Sequence, residues 1–283
     1  MNQPPHSPRP PDWLRPPGVA AGTWQYVHQR TIARHYDDFV ADTPLCELDR
    51  RYVLETLRAV SSRPSAMPAA ESDHSHPVIL DLGAGTGRLA EPVRQLGYDV
   101  LAVDLSQSML ETLVERHGGQ AAVHQAAAGT ILPLRANLVQ LDAIADSIAD
   151  HAICMFSTIG MIQGRANRVR FLCHIARVVR PGGCLILHVH RRWAALREAG
   201  GMRRLMRSWI RSFRSDAEFG DATYAYRGLD KMFMHRFSER EIQSELNAAG
   251  WTVRQIDRVG LDGGELTQSA WSASGLFLVC TRE

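Results

Sequence analysis

Asp81, the glycines Gly83, Gly85 and Gly87, and Asp104 are the residues whose types and spacing most clearly do chemistry. They lie in V-I-L-D-L-G-A-G-T-G-R-L and, further on, V-L-A-V-D. Together these read as an apolar strand, a glycine loop, a helix, and a second strand closed by an acid. Gly83 and Gly85 permit backbone conformations and close approaches that a Cβ would forbid. The loop feeds the next helix, whose free N–H groups attract negative charge. Asp104 follows Gly83 by 21 residues, at the end of the next strand, where an acid accepts hydrogen bonds from ribose hydroxyls. These features describe a site for a nucleoside with an anionic tail.

NAD and S-adenosylmethionine are the two cofactors of that kind. Arg88 stands where the dinucleotide fingerprint GxGxxG has its third glycine. Asp81 would repel a pyrophosphate but attract an ammonium or a sulfonium. S-adenosylmethionine carries an amino group, a carboxylate and a sulfonium, so the mixed charge favours it over NAD.

These residues need a rigid frame, and the surrounding pattern supplies one. Apolar runs at 78–82, 100–103, 130–134, 152–156 and 184–189 read as buried strands. Helices are expected at 88–96, 107–117 and 167–179, the last stopping at Pro181-Gly182-Gly183. Such alternation implies a parallel sheet with helices on both faces, an α/β fold. Residues 191–237 break the rhythm. Ser238, with Glu241 three residues later, forms a capping box that starts a helix ending near Gly250. Strands at 253–259 and 276–281 close the chain. Residues 1–19 hold seven of the 14 prolines and read as a flexible arm. A helical cap over 20–60 and a linker over 61–77 follow, then one catalytic domain over 78–283.

Composition excludes several classes. Net charge is +2, from 32 Lys+Arg against 30 Asp+Glu, which gives no general case for nucleic acid. The five cysteines show no CxxC pair and fit reduced thiols in a cytoplasmic protein, with no metal site. No apolar run reaches the length of a membrane span, so no membrane partner is expected. Oligomeric state is not readable.

In combination, V-I-L-D-L-G-A-G-T-G-R-L, V-D-L-S-Q-S-M-L and R-P-G-G after a helix resemble the class I S-adenosylmethionine-dependent methyltransferases over about residues 78–190. The resemblance resumes at H-R-F-S-E-R-E-I-Q-S-E-L-N-A-A-G-W, which is similar to the last helix of small-molecule members of the ubiquinone/menaquinone type. It implies a Rossmann-like, doubly wound, seven-stranded sheet whose last strand is antiparallel. It implies S-adenosylmethionine as cofactor and a small-molecule acceptor methylated at oxygen, nitrogen or carbon. Asp81, Gly83, Ala84 and Gly85 would line the methionine end of the donor, Asp104 would hold the ribose, and Leu105 would pack on adenine. Asn137, with Asp142 as rival, would accept from the adenine amino group. Phe156 and Ser157 would lie under the methionine and the methyl group. The motif there is F-S-T-I-G rather than N-P-P-Y, which argues against adenine or glutamine amides as acceptors.

On the acceptor side, His188 and His190 share one face at the carboxyl end of a strand, and His190 is the candidate for orienting or deprotonating an acceptor. His235 and Arg192 lie in the following insertion. Tyr26 and Tyr36 come from the N-terminal segment, where similar enzymes close a Tyr-Asp pair, here Tyr36-Asp37, over the donor. Residues 191–214 hold eight arginines and one glutamate. Met202, Leu205, Met206, Trp209, Ile210 and Phe213 form one helical stripe, and Arg203, Arg207, Arg211 and Arg214 another. This is either a cap helix with a solvated basic face or a device for an anionic acceptor or RNA phosphates. Aromatics for base stacking are sparse, which disfavours RNA. T-Y-A-Y-R-G and K-M-F-M-H-R-F read as two lid strands. Alternatives are methylation of RNA or protein through the basic helix, or donor binding without turnover.

Overall fold

The computed structural model describes residues 10–61, 76–117 and 129–283. Most of the residues expected as a linker lie outside that set. The N-terminal segment folds as α1 (Ala21–Tyr26), α2 (Arg30–Arg34), α3 (Tyr36–Val40) and α4 (Pro44–Ser61). The alternating core follows: β1 (Val78–Leu82), α5 (Ala90–Gln95), β2 (Asp99–Asp104), α6 (Gln107–His117), β3 (Ile131–Arg135), β4 (Ala149–Cys154), α7 (Arg165–Val178) and β5 (Val179–His190). The insertion holds α8 (Gly201–Ser212) and a hairpin of β6 (Asp221–Tyr226) and β7 (Leu229–His235). The chain closes with α9 (Glu239–Ala248), β8 (Trp251–Gly260), β9 (Leu266–Thr267) and β10 (Ala273–Arg282).

The main sheet runs β3-β2-β1-β4-β5-β10-β8-β9. β1 to β5 pair in parallel, and β10 lies antiparallel between β5 and β8. The sheet therefore has eight strands, not seven; the extra one is the two-residue β9, which pairs with β8 at the edge. The R-P-G-G turn also differs from expectation. Val179 already pairs with Ala149, and the register jumps before His151 meets Cys184, so the motif bulges within β5. A Cβ at Gly183 would stand 2.2 Å from the Asp150 carbonyl oxygen, and that close approach requires glycine.

Successive strand residues point to opposite faces, and the two faces build two cores. Ile79, Val100, Ile153, Ile186 and Val279 pack against Leu48, Val53 and Leu57 of α4 and Val93 of α5. Leu80, Leu82, Ala152, Leu185 and Leu187 pack against Phe171 and Ile175 of α7 and Ile242 and Leu246 of α9. Thus α4, expected as part of a cap, is a layer of the sheet. Tyr52 fixes it there by stacking on Phe277 at 4.3 Å and donating to Asp257 at 2.7 Å. Among the described residues no helix is long and apolar enough to cross a membrane.

Arg168 of α7 ties the insertion to this frame. It is fully buried, donates to Glu245 of α9 at 2.7 and 3.0 Å and to Glu218 ahead of β6 at 2.6 Å, and lies 5.3 Å over the Phe237 ring. Burial raises the Glu245 pKa while Arg168 opposes the rise. Removing one partner strands a buried charge, which costs about 3–5 kcal/mol. Arg168→Met is expected to lose that much stability in urea denaturation. Adding Glu245→Leu should restore part of it, because the stranded carboxylate is then gone.

Candidate active site

The glycine loop crosses the carboxyl end of β1. Gly83 and Gly85 hold φ of +80° and +56°, in the left-handed region where glycine is at ease. A Cβ on Gly83 would meet Thr158 Cγ2 at 2.5 Å, whereas one on Gly85 would meet nothing within 4 Å. Gly85 thus borders open space. The Gly83 and Ala84 N–H groups donate to the Val103 carbonyl at 2.8 and 3.1 Å, folding the loop over β2. Gly85 N–H and Ser106 N–H donate to the two carboxylate oxygens of Asp104 at 2.9 and 2.8 Å. Burial raises the Asp104 pKa against those backbone donors. Fixed in this way, Asp104 keeps lone pairs for ligand hydroxyls.

Asp81 is 3% exposed, and its Oδ2 has no hydrogen-bond partner among the described residues. Its pKa is raised to about 7, chiefly by burial, with Arg88 opposing and Asp104 adding. Arg88 is a cleft residue the sequence reading did not assign. α5 begins only at Ala90, so the positive charge beside the loop belongs to this guanidinium rather than to a helix end. Arg88 donates to the Cys46 carbonyl at 2.8 Å and to Asp49 Oδ2 at 3.0 Å. It also lies 5.7 Å over the Phe156 ring. Asp49, fully buried, has its pKa raised to about 7 by burial, opposed by Arg88 and by the Phe156 N–H.

Phe156 and Ser157 are two successive non-glycine residues at positive φ, +54° and +60°. Such a conformation costs on the order of 1–3 kcal/mol per residue and persists only when its surroundings hold it. The Arg88 guanidinium covers the Phe156 ring, which lines the cleft. Ser157 turns inward. It is fully buried, off the cleft wall, and its Oγ accepts from the His190 N–H at 3.1 Å. Of the expected pair, Phe156 lines the cleft and Ser157 does not, while the neighbouring Thr158 does.

The remaining walls come from the N-terminus. Residues 10–19, expected in a flexible arm, instead strap the cleft. Gly18 O accepts from Gln163 N–H at 2.7 Å, Pro17 O from Asn137 Nδ2 at 3.0 Å, and Pro11 O from the Trp24 indole at 3.3 Å. Val19, Val27, Tyr26 and Tyr36 line the cleft with Met109, Met155, Met161 and Ile162. Thr86 of the glycine loop donates to Asp37 at 2.6 Å, and Arg116 pairs with the same carboxylate. Burial raises the pKa of both tyrosines, so the phenols stay neutral. Leu105 and Asn137 also line the cleft. The Asn137 Oδ1 accepts from Val139 N–H at 3.3 Å and retains one lone pair. Asp142 is off the wall, exposed beside His174.

The other acceptor-side candidates lie elsewhere. His190 and Arg192 line a second cavity with Leu205, Ser208, Tyr224 and Met234, and no residue lines both. His190 therefore does not border the donor cleft, and burial holds its pKa down at about 4. His188 is fully buried against Phe277 and His190, with neither ring nitrogen partnered among the described residues, and burial keeps it neutral. Arg192 pairs with Glu241 and lies 4.2 Å over the Phe219 ring. His235 is enclosed between Asp221, at 2.7 Å, and Glu241, at 3.1 Å. Glu218, Asp221 and His235 bring ligand-type atoms within 4.8 Å of one another. Arg168 pairs with Glu218, and His235 bonds to Asp221, so the three join one charge network.

Fold and cleft together define a Rossmann-like domain with an open cleft at the carboxyl ends of β1 and β2. A family model described as a methyltransferase domain matches residues 80–187. The matched segment runs from β1 into β5 and so contains the glycine loop and Asp104. A ubiquinone biosynthesis O-methyltransferase of Sinorhizobium fredii is 31% identical over 109 residues, 38% of this chain and 39% of the relative. The match thus spans well under half of that relative's length. Among solved structures, a SAM-dependent methyltransferase of Methanosarcina mazei superposes with TM-score 0.60 at 18% identity, covering 74% of this chain and 93% of that one. The 1,6-didemethyltoxoflavin-N1-methyltransferase of Burkholderia thailandensis superposes with TM-score 0.56 at 17% identity, covering 95% and 93%. At these identities the structural likeness speaks for the fold.

His235 makes the insertion pH-sensitive. Burial disfavours its cation, but the bonds to Asp221 and Glu241 outweigh burial and raise the pKa above that of a free histidine. The stability this supplies is fully present below the unfolded pKa of about 6.5 and is lost as pH rises through the folded value. Thermal melts should show wild type more stable than His235→Gln at pH 6, with the gap narrowing steadily toward pH 9.

Proposed function

We propose that the cleft binds S-adenosylmethionine and that the chain is a cytoplasmic methyltransferase acting on a small-molecule acceptor. The observation that carries this reading is the buried, unpartnered Asp81 oxygen beside the open side of Gly85 and the backbone-fixed Asp104. The residues fit the donor's chemistry. Asp81 would accept from its ammonium, Asp104 from the ribose hydroxyls, and Leu105 with Asn137 would border adenine. When bound, S-adenosylmethionine supplies a methyl group already activated on a sulfonium. The protein's own part is to position the acceptor and exclude water.

The acceptor side of the cleft is apolar apart from its tyrosines. Met109, Met155, Met161, Ile162 and the Tyr26 and Tyr36 rings would select a flat or aliphatic molecule. Neutral phenols can orient an acceptor by donating a hydrogen bond, but they are poor bases at neutral pH. His190, in the second cavity, is not assigned as base. The small-molecule substrates of the Sinorhizobium and Burkholderia proteins agree with this class. The arginines of α8 are placed less well for an RNA or protein acceptor, because the cleft wall includes no residue of that helix.

Calorimetry with S-adenosylmethionine and with NADH tests the donor. Asp104→Ala is expected to weaken S-adenosylmethionine binding about 10–100-fold, the worth of hydrogen bonds to a charged group. Because Asp81 titrates near 7 in the free protein, affinity should rise with pH through that value and fall off by up to about tenfold per pH unit below it. Asp81→Asn should remove the pH dependence. Tight NADH binding with no S-adenosylmethionine binding would refute the reading. Donor binding with no transfer of labelled methyl to any metabolite in a broad extract would leave a binding protein instead.

A further inference from the structure

The outermost helix of the insertion presents an unusual surface. α8 is anchored along one side only. Leu205 is buried, Ser208 Oγ donates to the Asp221 carbonyl at 3.3 Å and accepts from Gly220 N–H at 3.1 Å, and Gly201 lies against the Ala195 carbonyl. The other two sides face outward. Met202, Met206, Trp209 and Phe213, at i, i+4, i+7 and i+11, are 61, 57, 51 and 72% exposed, with Ile210 at 40% beside them. Trp209 and Phe213 meet edge to face at 5.0 Å, so the stripe is continuous. No described residue covers it. The adjoining side carries Arg203, Arg207, Arg211 and Arg214, which have no acidic partner among the described residues. Between Ala199 and Ser215 the sequence contains no acid at all.

Exposed Met, Trp, Ile and Phe cost free energy in water until something covers them, and single-sign charge beside them selects what that is. A second copy of the chain would bring one arginine row toward another and be repelled. A polyanion such as RNA would satisfy the arginines and leave the apolar stripe wet. A bilayer with anionic headgroups satisfies both. The apolar stripe would enter the boundary between headgroups and acyl chains, while the arginines reach phosphate from its flank. A helix of this composition lies in the interface plane instead of spanning it, and 12 residues make a patch roughly 18 Å long.

We propose that α8 docks the protein on anionic lipid surfaces. The helix also forms a wall of the second cavity through Leu205 and Ser208, so that cavity would lie next to the membrane. This replaces the expectation of no membrane partner, which rested on the absence of a spanning segment. It stands on α8 alone and does not depend on the donor reading.

The test is co-sedimentation of the full chain with vesicles of phosphatidylcholine alone or with about 30% phosphatidylglycerol. Binding is expected to the anionic vesicles only, and to be lost in high salt. Trp209→Ser with Phe213→Ser should lower the partition coefficient at least tenfold, and Arg203→Gln with Arg207→Gln by roughly fivefold per arginine. Both pairs are surface positions, and thermal melts matching wild type would show that each variant is folded. Equal binding by wild type and the Trp209→Ser/Phe213→Ser protein would overturn the proposal. So would dimers that dissociate in that variant, or tighter binding to a single-stranded RNA oligonucleotide than to the anionic vesicles.

Discussion

The buried ion pair between Asp49 of α4 and Arg88 of the glycine loop is the contact on which the cleft depends. It joins three parts of the chain that are distant in sequence: the N-terminal layer, the loop after β1, and the turn after β4. Asp49 is fully buried and Arg88 partly buried, so loss of Arg88 would leave the Asp49 carboxylate without a charge partner or water. The same guanidinium covers the Phe156 ring, 5.7 Å from its centroid, and the Phe156 N–H opposes the raised Asp49 pKa. Those contacts hold a backbone conformation that phenylalanine would otherwise avoid. The ring's position on the cleft wall is therefore a consequence of electrostatics behind the wall. It also explains why α4 belongs to the sheet: a helix that merely capped the cleft would not fix a charge at this depth.

The electrostatic balance of the cleft follows from that pairing. Arg88 opposes the raised pKa of both Asp49 and Asp81, and Asp104 adds to the rise at Asp81. Arg88 bonds directly to Asp49 and to the Cys46 carbonyl, which leaves Asp81 with only its longer-range influence. A ligand cation beside Asp81 would complete what Arg88 does not. A pyrophosphate there would add negative charge to a buried carboxylate. Under the proposed reading, a cationic ligand would be favoured by how the one arginine is shared, as well as by Asp81 itself.

The parts legible in the sequence are those governed by short-range rules. Continuous apolar runs mark the parallel strands because both faces are buried, and the loop between Asp81 and Asp104 announces itself by glycines and a terminal acid. Depth and direction were less legible. His188 and His190 do share a strand face, but nothing local says that this face is closed at His188 and opens at His190 into a separate cavity. Phe156 and Ser157 carry no glycine to betray a left-handed turn, and their split between wall and interior depends on Asp49, more than 100 residues away. The prolines before Val19 suggested an arm because proline cannot donate to a helix or sheet. Their carbonyls still accept, and the strap is held through Pro11 and Pro17 oxygens from side-chain donors that no local pattern announces.

The arginines of the insertion show the same limit most plainly. Arg168 and Arg192 are buried among Glu218, Asp221, Glu241 and Glu245, where each cation meets acids contributed by other elements. Arg203, Arg207, Arg211 and Arg214 have the same chemistry and none of those neighbours. Composition alone puts Arg192 and the α8 arginines in one basic segment, whereas tertiary structure joins Arg192 with Arg168 of α7 in an inner set beside the hairpin and leaves an outer set that faces away. The two sets are linked through the backbone. Asp221 carries the His235 bond inward and offers its carbonyl to Ser208 of α8 outward. His190 is held by Ser157 on one side and receives the Phe237 N–H on the other. A force on α8 would therefore act first on the paired charges of the hairpin and the second cavity. It would reach the cleft by two routes, through the turn at Phe156 and Ser157 and through β7, whose Met232 packs with Met109 and Tyr26 of the cleft wall.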